Sequence, residues 1–169
     1  FFIGGFYIKI YYIEQKLLSL NSKYYIYNSH KQPCLEVTTK GILSILDKLF
    51  GSILSIRHNL YIHRLDGSEF SVIKKKTGFI SDKYTIYCGG ENLASIKRHM
   101  TSIKPKISIV TNKHNYLVSG DIMANDFTIC NNGITVAKIT KTTFNIKDKY
   151  RIDIFDEDNA DLFLSAVIA

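Results

Sequence analysis

The sequence predicts an all-β protein with a central helix: a closed antiparallel β-barrel of about twelve strands in a hairpin meander around an apolar C-terminal helix. Three observations carry this expectation. An apolar-x-apolar pair recurs along the chain, and a second alternating strand follows it about ten residues later. The last residues then abandon alternation for a run that is apolar on every side.

The recurring pair is Tyr24/Ile26, Leu60/Ile62, Tyr84/Ile86, Ile107/Ile109, Phe127/Ile129 and Tyr150/Ile152. From Leu60 onward the steps are 24, 23, 20 and 23 residues, a period that marks repeated supersecondary units. Lys23, Lys83, Lys106, Asp126 and Lys149 each stand just before the pair. The return strands carry Leu35/Val37, Ser71/Ile73, Ala94/Ile96 and Ala137/Ile139. Between the halves lie Asn28-Ser29-His30, Asp66-Gly67, Gly89-Gly90 and Asn131-Asn132-Gly133, residues that reach the positive φ values of tight hairpin turns. In "DKYTIYCGGENLASIKR", Asp82 to Arg98, period-2 alternation turns Tyr84, Ile86, Ala94 and Ile96 inward and Thr85, Ser95 and Lys97 to water. Five such hairpins, with Tyr11 to Lys16 and Lys149 to Phe155, supply the strands. A meander of short strands is expected to close, because an open sheet exposes its edges.

One break in the period is informative. Tyr24 to Leu60 is a step of 36 residues, and the excess falls where Ile42, Ile45, Leu46, Leu49 and Ile53 keep helical spacing. An amphipathic helix inserted at residues 42–54 is expected, as cover for one barrel end. Lys48 is its single basic residue, which argues against a lipid-binding helix. At the other end of the chain, Asp156, Glu157, Asp158 and Asp161 precede or open "LFLSAVIA". Acids favour a helix N-terminus, and an all-round apolar helix belongs in a core. It is too short to span a bilayer, so threading through the closed sheet is the economical solution.

The 169 residues suit one domain, 1–169, and a composition 46% hydrophobic and 22% charged excludes disorder. The net charge is +7, with 13 basic and 5 acidic residues between Lys74 and Lys149. Such an excess serves solubility, or attracts anionic lipid or nucleic acid. Cys34, Cys88 and Cys130 have neither disulfide-framework nor zinc spacing, so free thiols in a reducing compartment are expected. The opening "FFIGGFYIKIYYI" lacks an initiator Met, as a fragment or processed product does, and shows neither a signal peptide nor a full spanning run.

The ordered stretches "YYIEQKLLSLNSKYYIY", "DKYTIY…GGENLASIKR", "SGDIMANDFTI" and "VAKITK…DKYRIDI", followed by the apolar terminal helix, are similar to those of bacterial LURP-one-related proteins, and the whole resembles the tubby C-terminal-like fold. The resemblance runs from Tyr11 to Ala169, with Ile42 to Leu54 as its main departure. It implies a barrel around a buried helix and a wider kinship with phosphoinositide-binding tubby proteins and phospholipid scramblases. It implies no established activity, and the headgroup-binding basic residues of tubby have no position-by-position match here, so no site is carried over.

Catalytic chemistry finds little support. His30, His58, His63, His99 and His114 form no metal-ligand spacing, though His58 and His63 are expected near one barrel rim. "CGGEN" lacks the GK[ST] of a phosphate loop, and "ISIVT" lacks the glycines of a nucleophile elbow. Cys88 shares phase with Tyr84 and Ile86 and is expected to face inward. The carboxylates before the terminal helix do not follow a calcium-loop pattern. The expectation is a non-enzymatic binding domain with no cofactor and no metal, cytoplasmic and at most peripheral at the membrane. Its first candidate partner is an anionic phospholipid or phosphoinositide surface, met by Lys74, Lys75, Lys76, Lys97, Arg98, Lys104 and Lys106. The second is another protein, held by the loops and an apolar groove near Leu49 and Phe50. Nucleic acid ranks third, since Trp is absent and no aromatic-basic RNA-binding motif occurs.

Overall fold

A computed structural model describes residues 2–3, 6–14, 23–39, 59–76, 83–99, 106–121, 126–144 and 147–169. The segment 42–54, with Leu49 and Phe50, lies outside the described residues, as do His58, Lys104 and the end of the first predicted strand at Lys16.

Two short strands, β1 (Phe2–Ile3) and β2 (Phe6–Tyr7), pair with each other. The other twelve close an antiparallel barrel. In chain order these are β3 (Lys9–Glu14), β4 (Lys23–Tyr27), β5 (Pro33–Thr39), β6 (Leu60–Arg64), β7 (Glu69–Lys76), β8 (Lys83–Cys88), β9 (Glu91–His99), β10 (Lys106–Val110), β11 (Asn115–Asp121), β12 (Asp126–Asn131), β13 (Ile134–Phe144) and β14 (Lys147–Ile154). Each strand pairs with its chain neighbours, and β14 pairs with β3 while β9 pairs with β10, so the meander has no free edge. The expected hairpins are therefore β4–β5, β6–β7, β8–β9, β10–β11 and β12–β13.

Their turns share one end of the barrel. Gly89 and Gly90, with φ of 57° and 83°, and Asn132 and Gly133, with 49° and 84°, make two-residue hairpin turns with positive φ at both central positions. Four hairpins also share a feature invisible in the apolar pattern. Ile26 faces Leu35 while Tyr27 faces Pro33, leaving Cys34 as an extra residue. Phe70, Leu93 and Val136 are extra at the equivalent points of β7, β9 and β13. Such bulges bend and twist the strand that carries them, which helps short strands curl into a closed barrel.

The recurring pairs become layers of the core. Ile26, Ile62, Ile86, Ile109, Ile129 and Ile152 are all buried, on alternate strands around the barrel. Ser71, Ala94 and Ala137 face three of these isoleucines from the adjoining strands. These small side chains leave room for what the barrel encloses. Tyr84, Ile86, Ala94 and Ile96 are buried and Lys97 is exposed, with Thr85 and Ser95 half-buried, as alternation requires.

The enclosed element is α1 (Ala160–Ile168), nine residues and so about 13.5 Å long. The chain leaves β14 at the turn end, where the Phe155 amide donates to the Val136 carbonyl at 2.9 Å. Asp156 then accepts bonds from the Asn159 amide and side chain. Of the acids expected at the helix start, Asp161 lies in its first turn. Leu162, Phe163, Leu164, Val167 and Ile168 are buried on every side of the helix, which packs against β7, β8, β9 and β14. Phe163 meets Tyr116 edge-on with ring centroids 5.0 Å apart, and the Ser165 and Ser71 hydroxyls share a buried hydrogen bond of 2.8 Å.

Candidate functional site

Since the turns of these five hairpins lie at one end, the opposite end is framed by the outer termini of the strands. Reading round that rim from β7, the first six of the twelve are Lys76, Lys83, His99 and Lys106, then Asp121 and Asp126. A basic arc thus meets an acidic one. The basic excess from Lys74 to Lys149 does not form a single patch: Lys138 and Lys141 belong to β13, beyond the acidic arc.

Cross-strand register organises the basic arc. Lys76 stands directly opposite Lys83, and Lys83 directly opposite Lys97. All three are exposed on the outer wall. One pleat toward the turn end, Lys74 faces Thr85 and Thr85 faces Ser95. The result is a grid two rows deep on three adjacent strands, in which every side chain can donate a hydrogen bond. Among the described residues, Lys76, Lys83 and Lys97 have no ion-pair partner, and no carboxylate stands opposite them in the register. The Lys74 ammonium lies 4.7 Å from the centre of the Tyr87 ring, a cation–π contact that fixes its direction.

The predicted binding residues divide accordingly. Lys74, Lys76 and Lys97 come together on the outer wall. Lys75 does not join them, because its position pairs with inward-facing Tyr84 and its ammonium lies 5.7 Å from that ring. A one-residue offset changes the face of a strand. Arg98 pairs with Ile107 and Lys106 with His99, at the same end of β9 and β10. Sequence reasoning missed Lys83, the centre of the row, by treating it only as a marker of the repeat. The signal was available as K-x-K at 74–76, K-x-T at 83–85 and S-x-K at 95–97, the same face on three strands.

Elsewhere, the cysteines are free and half-buried. The Cys88 thiol donates to the Phe70 carbonyl at 3.3 Å, and Cys34 to that of Ile26 at 3.3 Å, where burial raises its pKa and suppresses its thiolate. His30 and His114 are exposed in turns, and His63 is half-buried on β6. Among the described residues no His, Cys, Asp and Glu group has metal-binding geometry, and no helix is long and apolar enough to cross a membrane.

A twelve-stranded antiparallel barrel threaded by its own C-terminal helix defines the architectural class of this protein. The family model described as LURP-one-related matches residues 9–169, and the chain belongs to that family. A protein of Arabidopsis thaliana with a known X-ray structure superposes at a TM-score of 0.63, covering 96% of this chain and 88% of its own. At 12% identity that likeness is one of fold. No curated protein matches the chain.

Proposed function

We propose that this chain is a non-enzymatic binding domain that docks peripherally on anionic phospholipid or phosphoinositide, at a cytoplasmic membrane face, through the outer wall of β7–β9. The observation that carries this reading is the row Lys76, Lys83 and Lys97, held in direct register with no carboxylate opposing it among the described residues. Like charges directly opposite one another cost stability in a sheet, so the row asks for an anionic partner. Each Lys near an anionic membrane contributes roughly 1 kcal/mol, and this wall offers four with Lys74. That is enough for reversible, salt-sensitive attachment.

The test is flotation with neutral vesicles and with vesicles containing phosphatidylserine or phosphoinositide, at low and physiological salt. Salt-sensitive flotation with the anionic vesicles alone supports the reading. Absence of binding at either salt overturns it. That outcome would favour a second reading, a protein-interaction scaffold, which has its own observation. Exposed Leu65, Leu93 and Ile134 lie close to hairpin turns, at the barrel end away from the lysines.

A further inference from the structure

Resting on the docking site just proposed, we infer that the β7–β9 grid recognises clustered phosphates, at least two phosphomonoesters carried by one molecule, in preference to dispersed single charges. Neighbouring strands lie about 4.8 Å apart, so Lys76 and Lys97 flank Lys83 across a span of about 10 Å at the level of the backbone. One small polyphosphorylated molecule covers that span. Each phosphomonoester brings a charge of about −1.5 to −2, so two of them place negative charge on both sides of Lys83 at once. Lipids with one net charge must instead be gathered one per lysine.

The second row gives the preference a geometric basis. Thr85 and Ser95 lie half-buried one pleat below Lys83 and Lys97, and their hydroxyls have no partner among the described residues. Lys74 stands beside them, directed by the Tyr87 ring. Ammonium and hydroxyl donors thus share one face of three adjacent strands, a surface suited to phosphate oxygens, which take several donors each. The grid is bounded. Lys76 extends past the end of the β6 pairing, and beyond Lys97 the row continues to buried Ser108 and exposed Leu117.

The experiment compares vesicles of phosphatidylcholine doped to equal net charge with phosphatidylserine or with a bisphosphorylated phosphatidylinositol, and separately titrates inositol hexakisphosphate in solution. The expected result is binding to the bisphosphorylated vesicles about tenfold tighter than to the charge-matched ones. Lys83→Gln and Thr85→Val should erase that preference, Lys83→Arg should retain it, and Lys138→Gln on the far wall should leave it unchanged. Equal binding to the two anionic vesicles leaves peripheral docking standing and overturns phosphate clustering. Lys83-dependent binding of inositol hexakisphosphate without flotation of any vesicle does the reverse, since clustered phosphate is then recognised in a soluble ligand. Lys83→Gln behaving like Lys138→Gln in every arm also overturns the inference.

Discussion

The Tyr24 hydroxyl is buried with no hydrogen-bond partner among the described residues, and burial raises its pKa well above the ordinary value of 10.0. An unpartnered buried hydroxyl lowers stability by its lost hydration. Tyr24→Phe keeps the ring and removes that cost, so it should stabilise the protein by about 1 kcal/mol in urea unfolding at neutral pH. The phenol also makes stability pH-dependent. Above pH 10.0 the unfolded chain releases this proton while the folded chain retains it, so stability falls as pH rises. The variant should lose less stability than the parent between neutral pH and about pH 11. Equal alkaline losses would show that Tyr24 does not titrate as its burial requires. Gly120 sits under the opposite constraint. Its φ is +120°, and a Cβ there would lie 2.7 Å from the Asp126 carbonyl oxygen and 2.8 Å from the Phe127 Cα. Both neighbours are backbone of the paired strand β12, so Gly120→Ala should destabilise by about 2 kcal/mol, read as a lower denaturation midpoint. An unchanged midpoint would contradict the close approach of β11 and β12.

At the scale of elements, one hairpin design is used repeatedly and adjusted to hold α1. The strands were legible because alternation is local: Ile26, Ile62 and Ile86 each announce an inward face within their own few residues. The bulges were not legible. Phe70, Leu93 and Val136 share no sequence mark beyond being apolar, and nothing in composition says that two residues oppose one. Nor does sequence reveal that Ser71 meets Ser165, since the two are 94 residues apart and serine at an inward position reads as a flaw in the pattern. Their hydroxyl pair pins the helix against β7. Ser71→Ala or Ser165→Ala alone leaves the other hydroxyl buried and unpaired, at a cost of about 1–3 kcal/mol. The double variant should cost clearly less than the sum of the singles, which a double-mutant cycle in chemical denaturation reads directly. Additive losses would mean that the pair contributes no coupling.

For the whole molecule, the charge distribution sets a conflict between stability and surface chemistry. Lys83 has a like charge directly opposite on each side, so Lys83→Gln should raise the thermal midpoint of the ligand-free protein at low salt. Added salt screens the same repulsion, so the parent should gain more stability from salt than the variant does. A lower midpoint for Lys83→Gln, or an identical salt response, would rule out the row as a source of repulsion. A surface lysine whose removal stabilises the barrel while weakening binding to anionic ligands would be the signature of a site kept for function.

Strand number, the inward residues and the buried terminal helix were determined by sequence, because period-2 alternation and an all-round apolar run are properties of contiguous residues. The family resemblance extended the same reading along the chain, and the match over residues 9–169 agrees with it. The candidate site belongs to tertiary structure. Lys76 and Lys83 are near in sequence, yet only cross-strand register makes Lys76, Lys83 and Lys97 one row, and only strand parity turns Lys75 toward Tyr84 instead. Closure then separates this arc from Lys138 and Lys141, with Asp121 and Asp126 between them. A charge count along the chain sums these residues together; a barrel distributes them around a circumference, and the ligand meets only one wall at a time.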